Sequence, residues 1–243
     1  MPATYDRIGL TYSDLRKPDA RIAKAINTAL GPAKTVLNVG AGTGSYEPAD
    51  KQVTAVEPSI EMINQRPDDA APVVQGSAED LPFNDNSFDA AMAILTVHHW
   101  SDRTTGLREL RRVARGPVVI LTYDPAFRGF WLTDYFPELI TLDEGQMPDM
   151  ADYSACLGTV EVTPLPIPND CTDGFLSAYW RRPAAYLDAH VRAVMSPFWA
   201  IGNLSAGLTR LEADLNSGAW ADRYGDLLQR ERCDCGYRLV VAG

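Results

Sequence analysis

Apolar residues along the chain gather into seven short runs that read as strands, most of them separated by segments with helical spacing. The runs are Thr35 to Val39, Gln52 to Glu57, Pro72 to Gln75, Phe88 to Thr96, Pro117 to Tyr123, Thr159 to Leu165 and Tyr237 to Ala242. The first five alternate with helical segments at short intervals, which is the rhythm of right-handed βαβ crossovers and a parallel sheet. Pro164, Pro166 and Pro168 cannot donate ladder hydrogen bonds, so the sixth run belongs at a sheet edge, and the apolar seventh inserts beside it. The expected fold is α/β and doubly wound. It has a mainly parallel seven-stranded sheet, an antiparallel strand near one edge, and helices on both faces.

The clearest helix opens at Ser101 as N-cap, carries Leu107, Leu110, Val113 and Ala114 on one face, and stops at Gly116-Pro117. A second reads out before the first strand, with Ile22, Ala23, Ile26 and Leu30 on one side. Between Pro125 and Ala155 the rhythm breaks into an aromatic segment containing Phe127, Phe130, Trp131, Tyr135, Phe136 and Tyr153. Insertions beyond the carboxyl ends of strands are where such folds build substrate pockets.

The first strand runs into Gly40-x-Gly42-x-Gly44, and Glu57 closes the second strand thirteen residues after Gly44. A dinucleotide turn is G-x-G-x-x-G, and its third glycine would fall on Ser45. The spacing here lets backbone approach a ligand closely without a helix N-terminus dedicated to pyrophosphate. S-adenosyl-L-methionine (SAM) has no phosphate, and its ribose hydroxyls suit Glu57.

With 243 residues the chain reads as one domain with insertions, and 46% hydrophobic with 22% charged residues is ordinary for a globular protein. A formal charge of −10 argues against a nucleic-acid partner. The cluster Arg108, Arg111, Arg112 and Arg115 suits the later turns of a solvated helix. The opening residues read as no leader, and no run approaches the ~20 apolar residues of a membrane span, so the expectation is a cytoplasmic protein without membrane contact. Cys156, Cys171, Cys233 and Cys235 are too irregularly spaced for a disulfide scaffold or a four-cysteine zinc site, and no metal is expected.

The chain resembles the class I SAM-dependent methyltransferases, in the small-molecule branch of ubiquinone and menaquinone C-methyltransferases and sugar or polyketide tailoring enzymes. The resemblance covers about Tyr5 to Tyr123. Val36 to Gly44 looks like the first motif, Val56-Glu57-Pro58-Ser59 like the ribose-binding strand end, Gly76 to Phe83 like the adenine-side loop, and Phe88 through Trp100 like the fourth strand and its exit. The resemblance implies a Rossmann-like domain that binds SAM through Gly40, Ala41, Gly42, Gly44, Glu57 and Pro58. Ser77, Ala78, Glu79 and Leu95 complete that set. It also implies an N-terminal lid, over about residues 1–30, bringing Tyr12 and Arg16 over the cofactor. Ser77 stands where the family often has Asp, which shifts adenine recognition to backbone amides near Ala78 and Glu79; Asn38 likewise replaces a more usual Asp.

Methyl transfer is an in-line displacement that needs alignment, exclusion of water and, for some acceptors, a base. By correspondence with similar sugar O-methyltransferases, His98 is the expected base and Asp124, ending the fifth strand, its partner. His99, Phe130 and Trp131 from the insert at about 125–158, together with Trp180, are the expected acceptor contacts. The acceptor is a small molecule, aromatic or polyketide-like. Two other readings stay open at this point: an NAD(P)-dependent reductase, and a module that holds SAM without transferring a methyl.

Overall fold

A computed structural model describes residues 16–243. Its seven-stranded sheet contains β1 (Thr35–Val39), β2 (Gln52–Glu57), β3 (Val73–Gln75), β4 (Ala90–Ile94), β5 (Val118–Tyr123), β6 (Val160–Pro164) and β9 (Tyr237–Ala242), in the order β3-β2-β1-β4-β5-β9-β6. β1 to β5 pair in parallel, and β9 runs antiparallel between β5 and β6, with Leu121 opposite Leu239 and Val162 opposite Val240. The proline-bearing β6 therefore takes the edge, as its missing donors require. A short ribbon joins β7 (Ile167–Pro168) to β8 (Arg232–Cys233).

Strand alternation divides the core between two faces. Val119, Leu121 and Tyr123 of β5 point to one face, where α1 (Ala20–Leu30) buries Ile22, Ile26 and Leu30. Val118 and Ile120 point to the other, against Leu107, Leu110 and Val113 of α3 (Arg103–Val113) and Tyr153 and Leu157 of α5 (Met150–Leu157). A short α2 (Ile60–Asn64) follows β2, and α4 (Glu138–Gln146) precedes α5. Beyond the ribbon, α6 (Ala189–Arg192), α7 (Ser196–Ala200), α8 (Ser205–Ser217) and α9 (Ala219–Tyr224) form a cap with intervening 3₁₀ turns.

Four details differ from the sequence reading. The N-cap of α3 is Asp102, whose carboxylate accepts from Thr105 N at 3.0 Å; Ser101 instead donates to Glu79. β4 begins at Ala90, because Phe88 leaves the ladder for a single bridge to Ala114. The aromatic segment does not act as one insert: α5 is the helix that covers the sheet between β5 and β6, while the rest joins the opposite face. α1 packs under the sheet, and residues 1–15 of the expected lid lie outside the described residues. Among the described residues no helix is long and apolar enough to cross a membrane, and no group of three or more His, Cys, Asp or Glu is placed to hold a metal.

Candidate active site

The turn after β1 holds Gly40, Gly42 and Gly44 at φ +68°, +53° and +94°, a region that side chains other than glycine rarely enter. Gly40 N and Ala41 N both donate to Val56 O, at 2.8 and 3.1 Å, which folds the turn over the end of β2. A Cβ on Gly40 would lie 2.1 Å from Thr96 Oγ1; one on Gly42 would meet only Met62 Cε at 3.8 Å, so a side chain there would extend into open space. Glu57 turns its buried carboxylate back under this turn, accepting from Gly42 N at 2.8 Å and Ser59 N at 2.9 Å. Behind it, Arg66 donates to Gly42 O at 3.1 Å and pairs with Glu47 at 2.8 Å, and Asn38 donates to Glu47 at 3.2 Å.

These residues form one wall of a cavity of about 590 Å³. The facing wall is Ser77, Ala78 and Glu79 with Trp100 and Ser101. Glu79 Oε1 accepts from Ser101 N and Oγ, each at 2.8 Å, and from Asp102 N at 3.0 Å, so its carboxylate fastens this loop to the start of α3. Arg16 closes the cavity at one end. Its Nε donates to Asp173 Oδ1 at 2.6 Å, while Tyr46 OH donates to Asp173 Oδ2 at 2.8 Å.

Arg16 and Leu95 also border a second chamber of about 60 Å³, so the two spaces meet at this pair. Leu95 holds φ +54° although it carries a side chain, a costly conformation of the sort that gathers at ligand sites. The remaining walls include Tyr123, Phe175, Tyr237, Met147 and Met195, with His98 and Asp143 as polar members.

His98 and His99 sit in the 3₁₀ turn Val97–His99 after β4, with ring centroids 3.9 Å apart. Burial, then the charge of Arg16, lowers His99 to about 4; burial, His99 and the Arg103 and Arg16 charges hold His98 well below the usual 6.5. Both imidazoles are therefore neutral at neutral pH. The expected His98–Asp124 pair is not formed. Asp124 Oδ1 accepts from Ala126 N at 3.0 Å, its other oxygen lies 3.4 Å from Arg238 Nε, and it borders neither cavity. No carboxylate contributes to the shift of His98, so its basicity falls where the sequence reading expected support.

Of the expected cofactor residues, Arg16, Gly40, Ala41, Gly42, Glu57, Pro58, Ser77, Ala78, Glu79 and Leu95 line the large cavity; Gly44 stands behind it against Glu47 and Arg66, and Tyr12 lies outside the described residues. His99 lines the large cavity and His98 the small one. Phe130, Trp131 and Trp180 line neither, because they build the core. Trp131 Nε1 donates to Trp180 O at 2.8 Å, Trp180 Nε1 to Ile167 O at 3.0 Å, and the Trp131 ring meets Trp220 and Tyr186 edge-on at 5.3 and 5.6 Å. Tyr46, Met62 and Thr96 line the large cavity without having been anticipated; Thr96 had a signal in its place just beyond β4, whereas nothing local marks the other two.

Residues 37–120 match the methyltransferase-domain family. The chain is 36% identical to a protein of Anabaena variabilis described as a methyltransferase from an antibiotic biosynthesis pathway, and the match covers 94% of this chain and 99% of that one with a TM-score of 0.83. It is 25% identical over 151 residues to 2-methyl-6-phytyl-1,4-hydroquinone methyltransferase 1 of rice, Oryza sativa, covering 56% of this chain and 46% of that protein. It is 34% identical over 104 residues to demethylmenaquinone methyltransferase of Porphyromonas gingivalis, covering 36% of this chain and 42% of that one. The chain thus spans a little under half the length of these two relatives. With its glycine turn, its acidic strand end and a near full-length likeness to the Anabaena protein, the chain belongs to the class I SAM-dependent methyltransferases.

Proposed function

We propose that the chain transfers a methyl group from SAM to a small-molecule acceptor. The observation that carries this reading is the buried Glu57 carboxylate, which sits at the lip of the large cavity and is held by Gly42 N and Ser59 N. A carboxylate in that position is suited to accept from the two hydroxyls of a ribose. The residues present fit SAM: glycine leaves open the space that a side chain at position 42 would take, and the Ser77–Glu79 loop offers backbone to an adenine on the opposite wall.

When bound, SAM supplies a methyl group on a positively charged sulfur. The protein's part is to hold that methyl toward the small chamber and keep water away. In this reading Gly40, Ala41 and Gly42 with Arg16 enclose the amino-acid end, and Leu95 stands at the point where the two cavities meet. His98 and His99, both neutral, line the path without adding charge beside the cationic donor. Aromatic walls in the small chamber and relatives named for a hydroquinone and for demethylmenaquinone support a small aromatic acceptor. The formal charge of −10 supports such an acceptor over a nucleic acid.

Isothermal titration calorimetry with SAM, its demethylated product S-adenosylhomocysteine, and NADPH tests the assignment. Binding of the first two without the third is expected. Binding of NADPH alone would return the chain to the reductases.

A further inference from the structure

Four carboxylates are buried among the described residues: Asp19, Glu57, Asp143 and Asp173. Three are committed. Asp19 accepts from Arg21 and Thr172, Glu57 from Gly42 and Ser59, and Asp173 from Arg16 and Tyr46. Asp143, on α4, is 8% exposed, and no hydrogen bond or ion pair from the described residues reaches its carboxyl. Only its backbone carbonyl is engaged, by Met147 N at 2.8 Å. Buried polar groups are hydrogen-bonded as a rule; the Asp143 carboxyl, without such a bond, keeps a little accessible surface rather than being sealed off. Asp143 instead borders the small chamber, where it and His98 face rings from two strands, Tyr123 of β5 and Tyr237 of β9.

Resting on the methyltransferase reading above, we propose that Asp143 is the proton acceptor of the acceptor chamber, and that the acceptor is a small aromatic ring bearing a hydroxyl, which enters by its hydroxyl end because the chamber of about 60 Å³ is smaller than the cavity of about 150 Å³ that takes in a whole benzene ring. The phenolic O–H bond breaks and its proton passes to the Asp143 carboxylate. The oxygen forms a new bond to the methyl carbon, and the methyl–sulfur bond breaks with its electron pair left on sulfur, which passes from sulfonium to neutral thioether. Charge balances: one carboxylate and one sulfonium are neutralised together, and no further reactant is needed.

The surroundings select this chemistry. Burial pushes the Asp143 carboxyl up to about 7, against the lowering effect of the Arg128 charge, so it can take a proton near neutral pH and hold it. His98 cannot hold one there, since burial keeps it well below its usual value. Tyr123 and Tyr237 are themselves raised, first by burial and further by the nearby acid, so neither supplies a competing anion. Arg16 at the mouth is paired with Asp173, so it is the cationic donor beyond it that disfavours a second cation. A neutral hydroxyl that becomes more negative as it reacts suits the chamber better than an ammonium group.

The test uses the whole chain saturated with S-adenosylhomocysteine, which occupies the large cavity, and follows 4-fluorophenol and 4-fluorotoluene by fluorine NMR. A charge-assisted hydrogen bond to the phenol should give wild type a preference of about tenfold or more over the toluene at pH 8. That preference should weaken as pH falls through about 7, where the carboxylate becomes protonated. In Asp143→Asn and Asp143→Leu, checked for native circular dichroism, the pH dependence should vanish and the preference fall several-fold. Two variants guard against a local packing effect of either side chain. An undiminished preference in both variants, or no phenol binding to the wild-type complex, overturns the proposal. If S-adenosylhomocysteine itself does not bind, the methyltransferase reading falls first and the two failures are told apart.

Discussion

Replacing Asp143 by Asn should change how stability depends on pH, and the structure sets both the sign and the size. The folded carboxyl is raised from 3.8 to about 7, mainly by burial, so the folded state holds this proton more tightly than the unfolded chain. Below pH 4 both states are protonated and the group contributes nothing. Between about 4 and 7 the unfolded chain has released the proton and the folded one has not, so stability falls as pH rises and then levels off. A change of this size amounts to about 4 kcal/mol, an upper figure because a buried site relaxes and admits water. The histidines act oppositely: His98 and His99 are lowered by burial, so they favour the folded state increasingly as pH climbs from about 4 toward 6.5. A single stability curve therefore mixes both trends, and the difference between wild type and Asp143→Asn isolates the acid. Urea unfolding at a series of pH values measures it. The variant should gain on wild type across this window, by a few kcal/mol at pH 8 relative to pH 4. A difference that stays flat would mean that the carboxyl is solvated or paired in solution, and the reasoning about an open buried acid would be refuted.

Glu57→Ala removes the carboxylate expected to meet the ribose, and calorimetry should show SAM affinity reduced by about 1.5 to 3 kcal/mol, roughly 10- to 150-fold; an unchanged value would move the ribose elsewhere. Gly40→Ala combines a positive φ of +68° with a Cβ 2.1 Å from Thr96 Oγ1, whereas Gly31→Ala at φ +57° meets nothing within 4 Å. Urea unfolding should find the first costing well above the ~1 kcal/mol expected for conformation alone at the second, and equal losses would remove the close approach of turn and Thr96 from the account.

The sheet was legible because its signals are local. β5 is a continuous apolar run buried on both faces and β9 a mostly apolar one, while the prolines of β6 exclude it from the interior, so even the insertion of β9 beside β6 could be anticipated. The glycine turn and Glu57 were equally readable, since positive φ and a strand-end acid leave marks in composition. The acceptor chamber was not. Asp143 lies next to Glu144 in a helix with no sharp apolar face, so it looks like a solvent residue, and its lack of partners is a tertiary property. Phe175, Met195 and their neighbours come from 3₁₀ turns and four- or five-residue helices, too short to show a period. Aromatic content alone could not divide pocket from core: Trp131 and Trp180 satisfy their indole N–H groups on backbone carbonyls and fill the interior. The acid at the end of β5 was a natural partner for His98 by position, yet Arg238 on the adjacent β9 lies against it.

The central claim is that a SAM methyl is held where the two cavities meet. SAM carrying carbon-13 in its methyl group, bound to the protein with assigned side-chain resonances, tests this by nuclear Overhauser contacts. The account predicts contacts from the labelled methyl to Leu95 and to the rings of the small chamber, His98 or Tyr123. Contacts confined to the Ser77–Glu79 wall, or no bound methyl signal at millimolar SAM, would contradict it.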